Sequence, residues 1–425
     1  MYAVVGGLLG GVLGTVFVVC ITSIIKAFLG WVMRQEDWVT LAAPFAGITL
    51  SAVLLYSFAQ GRAKQQIEGD EAVPRSFRAW LRTPSNALRA DLTGDVVRAA
   101  GQEETFPWRL APLRALAIIF TVGMGAPMGT ESPAAHLGVA AGAWIGSTKS
   151  WLRRLVRPAA ISGGAAGIAV LMGLPLVGLV FMLELGHRNR APISLLRTLA
   201  ASCGVLIGWV VNVTFQLDFI RLVVPSVGPQ SFSQALALAL LVGVASGALG
   251  SSMGAAIYRA RRWTSRPLIK VLLGGLALLG RILMIRMLAG PEAAIGPGAG
   301  AVSWAESAEA SIWILLVVAV LRAVATTAAV AAGGVGGLFV PLLAIGDLIG
   351  RALAPGLGAA TTLAASAGAA GAIAGGYRLP LTAVVMVLTI GGPLPARFAC
   401  IAVVAVAYGT SILVGYLLDR IGIRK

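Results

Sequence analysis

Apolar blocks of roughly 17 to 25 residues recur along this chain, the length needed to cross a hydrocarbon core about 30 Å thick. They run over 5 to 33, 39 to 58, 110 to 128, 134 to 147, 158 to 186, 198 to 216, 232 to 257, 268 to 289, 311 to 332, 337 to 353, 359 to 376, 380 to 392 and 397 to 418. Short charged stretches separate them. Charged types make up 12% of the 425 residues and apolar types 58%, and an ordinary soluble domain carries about twice that charged share. A water-soluble enzyme is excluded. The expected fold is all-α: one polytopic transmembrane domain over residues 1–425, with no soluble C-terminal domain. Met1 to Met33 is too long for a signal sequence and is read as the first membrane helix.

The net charge is +16, and it is concentrated. Lys149 to Arg157, Arg188 to Arg197 and Arg259 to Lys270 hold almost no acid, a bias that marks cytoplasmic helix ends rather than nucleic-acid patches. Such charge also raises the local concentration of anions. Cys20, Cys203 and Cys400 sit in apolar segments without pairing or metal spacing and read as small hydrophobes. The hydrophilic stretch 59 to 114, with Pro74, Pro84 and Pro107, reads as an inter-helix loop.

Several blocks are too short for a full crossing, and Gly-rich runs such as Gly333 to Gly337 interrupt them. Partial helices survive in a bilayer only where protein or a water-filled cavity satisfies the freed backbone groups, so they point at a transport site. An internal repeat locates it. Gly129-Thr-Glu-Ser-Pro133 followed by Gly138 and Gly142 recurs 208 residues later as Gly337-Leu-Phe-Val-Pro341 followed by Gly346 and Gly350. Ala165-Ala-Gly167 leading to Pro175-Leu176 likewise recurs as Ala369-Ala-Gly371 leading to Pro380-Leu381. The chain is read as a duplication, repeat one over about 34 to 215 and repeat two over about 230 to 418, the pattern of inverted-repeat transporters with a site at the repeat interface.

Each motif has a proline just inside a helix start. Backbone amides there are unpaired and carry partial positive charge, which suits an anion without burying a lysine. The amides of Gly129, Thr130, Ser132, Gly337, Leu338 and Phe339 are the expected binding groups, and a small anion is the expected cargo. Repeat one carries Glu131 where repeat two carries Phe339. A carboxylate among anion-seeking amides competes with the cargo, and protonation releases it, so Glu131 is the expected gate.

These residues resemble a known family. Gly129-Thr-Glu-Ser-Pro133 resembles the gating-glutamate motif G(K/R)EGP of the CLC chloride channels and transporters, with Thr130 for the basic residue and Ser132 for glycine; Gly336 to Pro341 resembles their GGxFxP motif. Pro112-Leu-Arg114, Gly173 to Glu184 and Pro380-Leu-Thr-Ala383 extend the likeness over about residues 10 to 420. The resemblance implies the CLC inverted-repeat helical fold with tilted and partial helices, a homodimer with one pathway per subunit, and a chloride-like ion at the helix starts. It also implies Glu131 as external gate, a multi-pass location in the cell (inner) membrane, and no cofactor or metal.

Three positions depart from the family pattern. Arg62 stands where the family's ion-coordinating serine is expected, either in the pore or as a membrane-edge cation. Leu185 replaces the second, inner glutamate of the exchangers, which tilts the expectation to a passive channel or a loosely proton-coupled pathway; a strictly coupled chloride/proton antiporter, or a pathway for another small anion, is the alternative. Tyr416 is the candidate for the family's C-terminal ion-contacting tyrosine. Glu184 reads as structural, salt-bridged or capping, rather than as a proton carrier, and Asp347 either as a pore or proton group or, the blander choice, as a partner of Arg351 at i+4. His136 and His187 lack further metal ligands. An intramembrane enzyme built on Ser132, Glu131 and His136 is disfavoured because an acid beside a serine does not activate it, and a cation carrier is disfavoured by Phe339.

Overall fold

The computed structural model describes residues 1–62, 106–148, 150–188, 191–263 and 265–421, with the isolated positions Leu92, Gly94 and Val96. Fifteen α-helices lie among them: α1 (Tyr2–Met33), α2 (Asp37–Arg62), α3 (Ala111–Gly123), α4 (Glu131–Thr148), α5 (Val156–Met172), α6 (Pro175–Arg188), α7 (Leu195–Thr214), α8 (Phe232–Arg262), α9 (Pro267–Ala294), α10 (Ala299–Ser307), α11 (Ile312–Ala331), α12 (Phe339–Leu353), α13 (Thr361–Gly376), α14 (Pro380–Ile390) and α15 (Leu394–Arg420). Eight spans are long and apolar enough to cross a membrane: α1, the first part of α2, the α5 region, α7, α8, α9, α11 and α15.

Local chemistry sets the boundaries. Ser194, Ser231 and Ser311 cap α7, α8 and α11 by accepting the N–H three residues on. The block expected as one segment over 158 to 186 divides into α5 and α6, because Gly173 takes a left-handed φ of 65° and Pro175 opens the next helix. Long α9 breaks at Gly290, with φ 80°, immediately before Pro291.

The packing is duplicated. α4 packs on α5 as α12 packs on α13; α1 lies against α5 and α7 as α8 lies against α13 and α15; α2 meets α3 as α9 meets α11. α1 is therefore the packing counterpart of α8. The Gly-x3-Gly pairs are what bring these helices together. A side chain on Gly138 would run into the carbonyl of Gly163, and one on Gly346 into that of Gly368, so both crossings are backbone to backbone. The Ala/Gly-rich helices α5 and α13 are buried along nearly their whole length, and each is wrapped by its neighbours.

Candidate functional site

The two motif loops meet. Gly129 and Gly337 form an isolated antiparallel bridge, with the Gly129 N–H donating to Gly337 O at 2.8 Å and the Gly337 N–H donating back at 2.6 Å. Immediately after it, α4 begins at Glu131 and α12 at Phe339. Two helix starts from the two repeats thus face one point.

Glu131 fills that point. It is 1% exposed, and its Oε1 accepts the Val340 N–H at 2.8 Å. The backbone amides of Phe339, Ser132 and Glu131 itself also face the carboxylate. Its Oε2 is buried without a hydrogen-bond partner, a costly state that departure of the side chain would relieve. Any Cβ on Gly129 or Gly337 would coincide with the carboxylate oxygens, so these glycines form its cradle.

A tyrosine closes the other side. Tyr377 caps the C-terminal end of α13; its Oη accepts the Leu338 N–H at 3.1 Å and lies 3.1 Å from Ser132 Oγ, to which it can then donate. Its ring is 6.1 Å from that of Phe339. Arg188 donates to the Tyr377 carbonyl at 2.6 Å, and Arg378, with a left-handed φ of 56° unusual for a non-glycine residue, turns the chain directly after it.

Several expectations need correction. The Gly129 and Gly337 amides are spent on each other, and the Leu338 amide is spent on Tyr377. Ser132 and Phe339 do face the carboxylate, joined by Val340, which sequence reasoning missed; buried Thr130 immediately precedes α4. A pairing between loops 208 residues apart has no local signature. Tyr416 is not at the site: it is 51% exposed on α15, with Arg420 stacked 4.7 Å from its ring centroid. Tyr377 stands there instead. The signal available was a tyrosine at the end of the helix that follows the second motif, where the first repeat has Gly173. The Arg62 side chain and the stretch that follows it lie outside the described residues.

The neighbouring acids are committed elsewhere. Glu184 caps α14, accepting from Leu381 N at 3.0 Å, Thr382 N at 2.8 Å and Thr382 Oγ1 at 2.6 Å. Leu185 is buried and lines a cavity of about 30 Å³ with Val139, Ala160, Ile161 and Met182. Asp347 accepts from Arg351 Nε at 2.6 Å; Arg351 also reaches Glu306 at 3.1 Å, and Glu306 pairs with Arg221. His136 accepts from Arg114 at 3.2 Å and packs against Phe106.

Comparison with known proteins follows this geometry. Residues 93–412 match the family described as voltage gated chloride channel. The H(+)/Cl(-) exchange transporter ClcA of Yersinia pestis bv. Antiqua (strain Angola) is 29% identical over 302 residues, 66% of this chain and 60% of that protein. That of Salmonella paratyphi B (strain ATCC BAA-1250 / SPB7) is 26% identical over 408 residues, 91% of this chain and 80% of that protein. The chain thus spans 60% of the length of the first of these relatives. Among solved structures, a slow cyanobacterial Cl-/H+ antiporter superposes with a TM-score of 0.70 at 19% identity, covering 100% of this chain and 97% of that one. A CLC-type fluoride/proton antiporter does so at 0.68 and 20%, covering 96% and 94%. At such identities the likeness speaks for the fold, an all-helical CLC architecture. The family match covers well over half of the residues, including both motif loops and Tyr377, and on that ground the chain belongs to the voltage gated chloride channel family.

Proposed function

We propose that this chain moves a small anion, chloride in the first instance, across the cell membrane, and that Glu131 gates the path by competing for the anion's place. It is read as a transporter rather than an enzyme, acting as a homodimer with one pathway in each subunit. The observation that carries the reading is the Glu131 carboxylate lodged among the first-turn amides of two helices from the two repeats. Amides that hold a carboxylate hold a halide by the same charge and the same donors. Protonation removes the negative charge that those donors seek, and the side chain leaves.

Passive or loosely coupled flow is favoured by the inner position, where Leu185 is apolar and Glu184 is tied into the start of α14. Strict chloride/proton exchange is the second reading, favoured by the relatives named as H(+)/Cl(-) exchange transporters. Chloride flux and internal pH followed together in proteoliposomes separate the two: uphill proton movement driven by a chloride gradient alone establishes exchange, and its absence establishes passive flow. The same vesicles test the gate. Glu131→Gln is expected to conduct at every pH with a flat profile, and a profile unchanged from the parent protein overturns the gating role. Light scattering of the purified protein is expected to give twice the 43.5 kDa chain mass; a single-chain mass removes the dimer.

A further inference from the structure

Among the described residues, one guanidinium deep in the bundle has no acid beside it. Arg322 on α11 is 1% exposed; its Nη1 donates to Ala293 O at 2.6 Å and its Nη2 to Gly296 O at 3.0 Å, while Nε is buried with no partner. Among the described residues no carboxylate pairs with it. Arg351, which is also buried, has both Asp347 and Glu306. The carbonyls of Ala293 and Gly296 offer Arg322 only the partial negative charge of peptide dipoles. A buried cation without a full counter-charge is costly, so its neighbourhood should contain a place for negative charge.

The neighbourhood is the site. Gly298 separates Arg322 from the first turn of α12: a Cβ built there would lie 3.6 Å from Nη2 and 3.3 Å from Val340 O. The N–H of that same Val340 is the one donated to Glu131. Thr326, one turn along α11, donates to the Pro127 carbonyl at 2.9 Å, and the Gly296 N–H donates to Gly125 O at 2.8 Å. The arginine's surroundings therefore brace the loop that leads into Gly129 as well as α12.

We propose that Arg322 is the fixed positive charge of the pathway, a positioning residue that acts through the first turn of α12 to strengthen the hold on whichever anion occupies the site, the Glu131 carboxylate or the cargo. This rests on the reading that a small anion replaces that carboxylate. As a general scale, a unit charge at ~10 Å and an effective dielectric of about 20 changes the affinity for an anion on the order of tenfold.

The test is calorimetric titration of chloride into the purified full chain, unmutated and as Glu131→Gln, each with Arg322→Gln, which keeps an amide donor without charge, and with Arg322→Lys, which keeps the charge without the fork. Arg322→Gln is expected to weaken chloride binding about tenfold in both backgrounds, and Arg322→Lys to stay within about threefold of the parent. A purely structural arginine predicts the reverse order or equal losses. Unchanged binding in Arg322→Gln, or an equal loss in Arg322→Lys, overturns the proposal alone. Should Arg322→Gln not yield monodisperse protein, the lysine variant decides: retained affinity supports the charge and a tenfold loss overturns it. No saturable binding in either the unmutated protein or Glu131→Gln overturns the anion-site reading itself, and the proposal with it.

Discussion

At the scale of single residues, the candidate site is one carboxylate set among a few amides and cradled by glycines. Gly337 has no side chain because the Glu131 carboxylate occupies the space one would need. Gly337→Ala should put a methyl group into the one place for which the carboxylate and the anion are proposed to compete. The expected outcome is chloride efflux in vesicles well below the parent's, and equally lowered in the Glu131→Gln background; efflux equal to the parent would show that the cradle is not tight. The sequence made Glu131 legible as the odd acid in one of two matching motifs. It left Val340 and Tyr377 unread, because an amide has no letter of its own and the tyrosine reaches the site only through the turn at Arg378. Tyr416 was misplaced for a related reason: its position along the chain suited an ion contact, but the side of α15 on which it stands does not.

At the scale of elements, the duplication explains how partial helices end in the right place. The crossings of α4 on α5 and of α12 on α13 use the same spaced glycines, and these hold each motif helix by its backbone. Gly138→Val should force α4 away from α5. Overpacking of this kind costs typically about 1–3 kcal/mol, with more where backbone must move, and should lower the unfolding temperature in detergent; an unchanged temperature would mean that the crossing is looser than described. Most helices and most boundaries were legible from apolar length, proline starts and glycine spacing, although α10 (Ala299–Ser307) lies in none of the thirteen blocks. The break between α5 and α6 was not, since hydropathy runs through Gly173 without a dip while the left-handed backbone there does not. The two copies have also diverged in chemistry: repeat one supplies the carboxylate, and repeat two supplies the Val340 and Phe339 amides and Tyr377.

At the scale of the whole molecule, an anion bound only by the folded state adds stability that grows with its concentration over its dissociation constant. On the proposed gating role Glu131 competes for the same place, so exchanging gluconate for chloride should raise the unfolding temperature more in Glu131→Gln than in the parent. Equal shifts in the two would indicate that chloride and the carboxylate do not share a site. The most direct measurement is a crystal structure of Glu131→Gln grown in bromide, with the halide placed by its anomalous signal. A bromide within hydrogen-bonding reach of the Val340 and Phe339 amides, beside the Gly129 and Gly337 bridge, is the predicted result. Bromide found only elsewhere, with those amides unoccupied, would contradict the account.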